Sequence, residues 1–447
     1  MGDLVLNPYP TRHVDPDEPG LVAAYTFSDN ELSVHGRYLN RARTGAAYDL
    51  ATRVGTPLVG QGGGVYVAES QTSYFAATVP GSATQSRYTF DLELTSMPVA
   101  LNVPMVVHGT VAGGRTYLAY SDLGTGLVLC SLNDFATWSG TAFPVTGRGR
   151  ILYDVGYNGT HQQMWTNGIL ADSDAVVAVV PNGQFRIGNF GTMRAAKIKT
   201  GVNSGMDAAS IRASYVREFA KKVLFSWAPR DVGEGPAGGI LTGSTPGGYA
   251  TCPLGAATMQ FVWRPDLSHP AGGRLCLTDS AVGAMNRIDI EYGNRPWFGS
   301  WLIEYEIRDP ATDSLIVGWT PRRGIDPTLA GSNAYWAWIR TAAGPWWRSS
   351  LYLANGAQID AADAPWPGPV AGNRCKMLVT RDVDGTIQTW TYVPTPTAGW
   401  WWSVAVGNDV TVLNEGCMTV AARGARVERI TWYQGSMTPH ELESTVP

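Results

Sequence analysis

Apolar and polar positions alternate with a period of two, or gather in short apolar runs, in many segments of this chain, and one segment shifts to a period near four. Tyr88-Thr89-Phe90-Asp91-Leu92-Glu93-Leu94 shows the first pattern. It predicts a strand with one buried face, because neighbouring Cβ atoms point to opposite sides of a sheet. Leu21 to Phe27, Thr116 to Tyr120, Gly126 to Cys130, Arg150 to Tyr157, His161 to Thr166 and Gln184 to Ile187 read as further strands. Asn158-Gly159 and Asn167-Gly168 end two of them. Asn-Gly marks a tight hairpin because a type I′ turn needs positive φ at both central residues. The exception is Met206 to Phe225, where Ile211, Tyr215, Phe219 and Val223 form one apolar stripe. That spacing predicts an amphipathic helix, with Asp207 placed to cap its start.

Past the Gly/Pro-rich Gly233 to Gly239, strand patterns resume. They run over Met259 to Trp263, Arg274 to Thr278, Arg287 to Tyr292, Trp301 to Arg308, Leu315 to Trp319 and Tyr335 to Arg340. Ser349 to Leu353, Cys375 to Arg381, Thr386 to Val393, Met418 to Ala422 and Val427 to Tyr433 complete them, with a turn at Asp384-Gly385. Thr438 to Glu443 begins at most a short terminal helix. The predicted fold is all-β: two tandem antiparallel β-sandwich (jelly-roll) domains, with a short amphipathic helix closing the first. Residues 20–227 form the first and 228–447 the second. Residues 1–19, with Asn7-Pro8-Tyr9-Pro10 and Asp15-Pro16-Asp17-Glu18-Pro19, read as an extended docking arm, since prolines at this density forbid helix. Tyr9, Pro10, Pro16 and Pro19 are its candidate contacts.

Composition narrows the function classes. The 447 residues include 52 glycines and 28 prolines, which suits many short strands and tight turns. The formal net charge is -4 and the cations are scattered, so the basic footprint that nucleic-acid binding requires is missing. There is neither a stretch of apolar residues long enough to span a membrane nor an apolar core near Met1 for a Sec signal. Cys130, Cys252, Cys276, Cys375 and Cys417 lack C-x-x-C spacing and read as small buried apolar residues.

Three segments, in order, resemble the laminin-G-like branch of the concanavalin A-like lectin/glucanase superfamily. Gly20-Leu21-Val22-Ala23-Ala24-Tyr25-Thr26-Phe27 resembles its first strand. Ile151-Leu152-Tyr153-Asp154-Val155-Gly156-Tyr157-Asn158-Gly159 with Met164-Trp165-Thr166-Asn167-Gly168 resembles its paired hairpins. Phe185-Arg186-Ile187-Gly188, Ala196-Lys197-Ile198-Lys199 and Ala208-Ala209-Ser210-Ile211-Arg212 resemble its closing strands and helix. The second half echoes the same ending at Val427 to Tyr433 but not the opening. Its Trp297-Phe298-Gly299-Ser300-Trp301-Leu302-Ile303-Glu304-Tyr305-Glu306 is similar to a strand of tandem sandwiches in bacteriophage structural proteins.

Candidate chemistry is sparse. Arg287-Ile288-Asp289-Ile290-Glu291 is similar to the E-I-D-I-E strand of laminarinase-type glucanases, but Arg287 stands where the nucleophile belongs. Retaining hydrolysis needs two carboxyl groups about 5–5.5 Å apart, so Asp289 and Glu291 read as solvent-facing strand residues, as do Asp91/Glu93 and Glu304/Glu306. The histidines are dispersed, and no catalytic or metal set is expected. Calcium, which wants several oxygen ligands, would have only Asp172/Asp174 or Asp382/Asp384. The unusual feature is tryptophan: Trp336, Trp338, Trp346, Trp347, Trp400, Trp401 and Trp402. Sandwich core, a partner interface and a sugar platform each account for them, and a strand over Trp400 to Trp402 cannot turn all three inward.

These features predict a non-enzymatic structural or adhesive protein. The resemblance implies a virion component: a phage capsid decoration, fibre or tail-associated protein assembled in the host cytoplasm. Its partners would be other virion proteins, further copies of itself and a cell-surface glycan, with no nucleic acid or membrane. A carbohydrate-binding lectin module is the alternative, and a degenerate glycoside hydrolase comes third.

Overall fold

A computed structural model describes residues 14–27, 35–55, 58–59, 65–66, 74–82, 84–94, 103–110, 114–122, 127–134, 136–141, 149–181, 183–188, 192–227, 240–242, 249–251, 264–265, 274–275, 286–291, 298–307, 315–320, 335–340, 348–352, 358–363, 370–382, 386–394, 398–406, 417–422 and 425–444. The chain forms two compact units, Met1–Phe219 and Ala220–Pro447. Every strand pairing described is antiparallel, and the architecture is all-β.

In the first unit an eight-stranded sheet runs in the order Ile169–Ala175, His161–Thr166, Gly149–Tyr157, Ser86–Leu94, Thr192–Thr200, Val65–Tyr66, Leu58–Val59. Leu21–Tyr25 joins Thr192–Thr200 along the same edge as Val65–Tyr66. A seven-stranded sheet runs Ser139–Thr141, Leu127–Ser131, Gly114–Asp122, Val103–Thr110, Gln184–Ile187, Tyr74–Thr78, Thr52–Val54. Inward positions of both sheets meet in an aromatic core. Phe185 stacks on Tyr25, Tyr88 and Phe90 at 6.4 Å each, and Tyr153 donates across to the Leu118 carbonyl at 2.8 Å. The Asn167-Gly168 hairpin has φ of 51° and 74°, the two positive values a type I′ turn demands. Asn158-Gly159 turns differently. Only Gly159 has positive φ, while Asn158 Oδ1 accepts from the Thr160 and His161 amides.

The outer face of the eight-stranded sheet departs from expectation. Asp91 is buried, not solvent-facing, and so are Arg87, Thr89, Asp154 and Lys197. The segment that follows the last strand covers them. Arg87 donates to the Gly205 carbonyl, Ile211 packs with Trp165 and Met206, and Lys197 pairs with Glu218 at 2.7 Å. The covering helix is shorter than predicted: Ala208–Tyr215 is α-helical, Val216–Ala220 forms a π turn, and Val223–Trp227 is a strand. Ile211, Tyr215 and Phe219 are buried as the stripe requires, whereas Val223 belongs to the strand and is 39% exposed. Val223–Trp227 pairs with Ala425–Tyr433, which moves the break between units from Trp227 to Phe219.

Only residues 14–19 of the predicted arm are described, and they form turns. Tyr9 and Pro10 lie outside the described residues, but Pro16 and Pro19 build two successive turns, not an extended segment. Glu18 N–H donates to the Asp15 carbonyl and Leu21 N–H to the Glu18 carbonyl. Proline suits the second position of a turn, and Gly20 at φ 76° supplies the positive φ a type II turn needs at the third. The turns are fastened to the sandwich, since Glu18 bonds Lys197 at 2.8 Å and Lys199 at 3.0 Å. Burial raises the Glu18 carboxyl, but the ammonium of Lys197, with Lys199 behind it, outweighs this and holds it below its ordinary value.

The second unit has a six-stranded sheet, Val223–Trp227, Ala425–Tyr433, Gly299–Ile307, Arg374–Arg381, Ile387–Val393, Gly399–Val406. Its eight-stranded sheet runs Ile240–Thr242, Tyr249–Thr251, Asn286–Glu291, Cys417–Ala422, Leu315–Thr320, Tyr335–Arg340, Arg348–Tyr352, Gln358–Asp363, and Arg264–Pro265 pairs with Arg274–Leu275. The predicted strand at Met259 to Trp263 and the Asp384-Gly385 turn lie outside the described residues. Trp301, Ile303, Tyr305, Val317, Trp319, Met377, Val379, Met418, Val420 and Ile430 are buried, and Trp301 stacks on Trp432 at 4.7 Å. The terminal helix Pro439–Glu443 carries a capping box between Thr438 and Glu441.

Candidate functional site

Alternation along the six-stranded sheet of the second unit separates two faces. Trp301 and Ile303 on the Gly299–Ile307 strand are fully buried, while Leu302 and Glu304 point to the opposite side. Register carries that opposite side across the sheet. Glu304 stands beside Lys376 and Arg429, Lys376 beside Tyr392, and Tyr392 beside Trp400. The result is one cross-strand rung: Trp400, Tyr392, Lys376, Glu304, Arg429. The next rung is apolar, with Leu302, Leu378 and Trp390 clustered and Trp402 opposite Trp390 in register.

Trp400 is half-buried and held in place. Its ring meets Tyr392 edge-on at 5.7 Å and 67°, and its Nε1–H donates to Glu443 Oε1 at 2.8 Å. Glu443 comes from the terminal helix, whose Leu442 packs against the apolar rung. Lys376 Nζ lies 5.5 Å from the Tyr392 ring centre, 6.0 Å from that of Trp400 and 3.7 Å from Glu443. Arg429 Nε lies 3.6 Å from Glu304. Side-chain exposures of 35% for Lys376, 48% for Glu443, 30% for Glu304 and 40% for Arg429 leave these groups open to a ligand. Burial, then the Glu304 carboxylate, raise the Tyr433 phenol against the pull of Arg429, so it stays a neutral donor beside the same cluster. The chemistry available is an apolar ring edged by donors and acceptors of both charges.

Trp400 joins this rung, and Trp401 and Trp402 lie on the same strand, opposite Thr391 and Trp390. Trp336 and Trp338 belong to Tyr335–Arg340 in the other sheet, opposite Gly318 and Ile316, so they are not brought to Trp400 by strand pairing. Trp346 and Trp347 lie outside the described residues. The solvent-face reading of the Glu304/Glu306 pair holds for Glu304 alone, since Glu306 is buried. Asp289 faces Thr251 and Thr419 in register, and Glu291 faces Tyr249 and Cys417, so no carboxylate stands opposite either.

Asp172 accepts from Gly140 N–H at 2.7 Å and Asp174 from the Ser139 hydroxyl at 2.5 Å, which ties two edge strands together. Asp382 accepts from the Ser436 hydroxyl at 2.6 Å, and Asp384 lies outside the described residues. Among the described residues no three His, Cys, Asp or Glu gather as a metal site would need. Tyr392, Lys376, Arg429 and Glu443 were not singled out from sequence. Their strand alternation was legible, but their adjacency depends on the register of four strands and on the docking of a terminal helix.

No known protein family matches the chain, and no curated protein matches it in sequence. Among solved structures, a Trypanosoma rangeli sialidase aligns at 15% identity and TM-score 0.32 over 46% of this chain and 36% of its own, about a third of the sialidase's length. Domain 4 of a GH43 extracellular arabinanase from Geobacillus stearothermophilus, solved with arabinotriose, aligns at 13% identity and TM-score 0.31 over 44% of this chain and 98% of its own. The binding domain of botulinum neurotoxin DC aligns at 7% identity and TM-score 0.37 over 92% of this chain and 99% of its own. The fold assignment rests on the sheets described above and not on these superpositions.

Proposed function

We propose that this protein is a non-catalytic carbohydrate-binding protein whose contact surface is the outer face of the six-stranded sheet in the second unit. The observation that carries the reading is the rung Trp400, Tyr392, Lys376, Glu304, Arg429, with Glu443 fixing the indole. A pyranose lays its C–H face on an aromatic ring and hydrogen-bonds outward through its hydroxyls. It therefore needs an oriented apolar plate edged by both donors and acceptors, which this rung supplies. A nucleophile and acid facing each other across strands are not needed for such a role.

The direct test is a glycan array followed by calorimetric titration. The native chain is expected to show saturable binding that Trp400→Ala lowers at least about tenfold, the loss of one buried aromatic contact worth roughly 1.4 kcal/mol. Binding that survives Trp400→Ala at full strength places the ligand elsewhere. Turnover of laminarin abolished by Glu291→Gln overturns the non-catalytic reading. Membership of a phage particle is supported by the sequence resemblance alone, and fixed stoichiometry in purified particles is its test.

A further inference from the structure

We propose that the Trp400 face selects neutral pyranosides and discriminates against acidic ones such as uronates and sialates, an inference that rests on the carbohydrate-binding reading above. Charge around the indole is placed to disfavour an anion. A carboxylate meets the Trp400 ring at its edge, Glu443 Oε1 lying 2.8 Å from Nε1, and the Lys376 ammonium lies over the ring 6.0 Å from its centre. Among the described residues, the two cations of this rung each lie beside a carboxylate. Lys376 lies 3.7 Å from Glu443 and over the Tyr392 ring, and Arg429 lies 3.6 Å from Glu304. The formal charges of Lys376, Arg429, Glu304 and Glu443 sum to zero, so the rung itself carries no net charge to draw an anion in.

A sugar carboxylate stacked on Trp400 would approach Glu443, and the Lys376 ammonium over the ring is already paired with that carboxylate. The sugar would have to pull Lys376 off Glu443 or stand beside a like charge, at a cost of about tenfold in affinity at a half-exposed site. A neutral sugar has no such conflict. Its hydroxyls accept from Lys376 and Arg429 and donate to Glu304 and Glu443, using the lone pairs and protons that each ion pair leaves spare. Because no net charge is exchanged, added salt should leave this binding nearly unchanged.

The test is calorimetric titration of the full chain with matched neutral and acidic oligosaccharides, the acidic partner differing only by a carboxyl group. Neutral ligands are expected to bind at least about tenfold tighter, independently of salt. Glu443→Gln keeps an amide oxygen to accept from Trp400 Nε1 and is expected to narrow that gap several-fold by admitting the acidic ligand. Trp400→Phe, which preserves an aromatic plate if Trp400→Ala folds poorly, is expected to weaken both ligand classes together. Acidic ligands that bind as tightly as neutral ones, with Trp400 still required, overturn the selectivity and leave the carbohydrate reading standing. A gap unmoved by Glu443→Gln also overturns it. The absence of any Trp400-dependent glycan binding overturns both.

Discussion

Arg87 and Asp154 are ionic residues on adjacent strands of the first unit, with side chains 3% and 0% exposed. Arg87 Nε donates to Asp154 Oδ1 at 2.8 Å, and the Thr89 hydroxyl donates to the same oxygen at 2.5 Å. Removing one member strands the other charge in a low-dielectric layer, whereas removing both does not. Asp154→Ala is therefore expected to cost roughly 3–5 kcal/mol, read as a fall in the urea midpoint at constant slope, and replacing Arg87 and Asp154 together by Met and Leu should recover much of it. In the sequence, Asp91 reads as a solvent-facing strand residue, and Arg87 and Thr89 share its face by alternation. Period-two alternation shows that they share a face, but not that the segment from Gly205 to Glu218 covers that face.

At the scale of elements, local chemistry was most legible where a turn or cap is self-contained. Asp207 accepts from Ser210 N–H at 2.9 Å as its position predicted, and the Ser210 hydroxyl, followed by that backbone bond, lowers the carboxyl. The Asn167-Gly168 hairpin and the terminal capping box are of the same kind. The four-residue stripe through Val223 misled, because the π turn at Val216–Ala220 ends the helical ladder and β-rich Val223–Trp227 finds a partner strand. Thr438→Ala removes the hydroxyl that accepts from Glu441 N–H and should cost about 1 kcal/mol of terminal-helix stability. If the helix orients Trp400 through Glu443, the same change should raise amide exchange across 438–444 and weaken glycan binding several-fold. Faster exchange with unaltered binding would remove the helix from the site.

For the whole molecule, two compact units with separate buried cores predict two unfolding events in calorimetry. His108 should tell them apart. It lies fully buried in the first unit, and its Nε2 is 2.7 Å from the Val79 carbonyl, which only accepts, so Nε2 bears the proton and Nδ1 accepts from Tyr88 at 2.7 Å. Burial pushes the ring down from 6.5 to about 4, against the Val79 carbonyl, which favours the charged form. Above pH 6.5 both folded and unfolded states hold a neutral ring. As pH falls from there toward 4 the unfolded state takes up a proton that the folded state refuses, so the first unit should lose about 2 kcal/mol by pH 5. One transition should therefore fall on acidification, and His108→Phe should flatten that dependence; two transitions moving in parallel would contradict the assignment. By itself the sequence determined the period of each strand, the caps, the Asn167-Gly168 hairpin and hence the all-β class, because these depend on neighbours within a few residues. Only the tertiary structure decided which faces are dry, where the units part and which residues meet Trp400. Those outcomes depend on register between distant strands, including the extra Ser403 that aligns Trp402 with Trp390 and Trp400 with Tyr392, and register is chosen by how a whole face is covered.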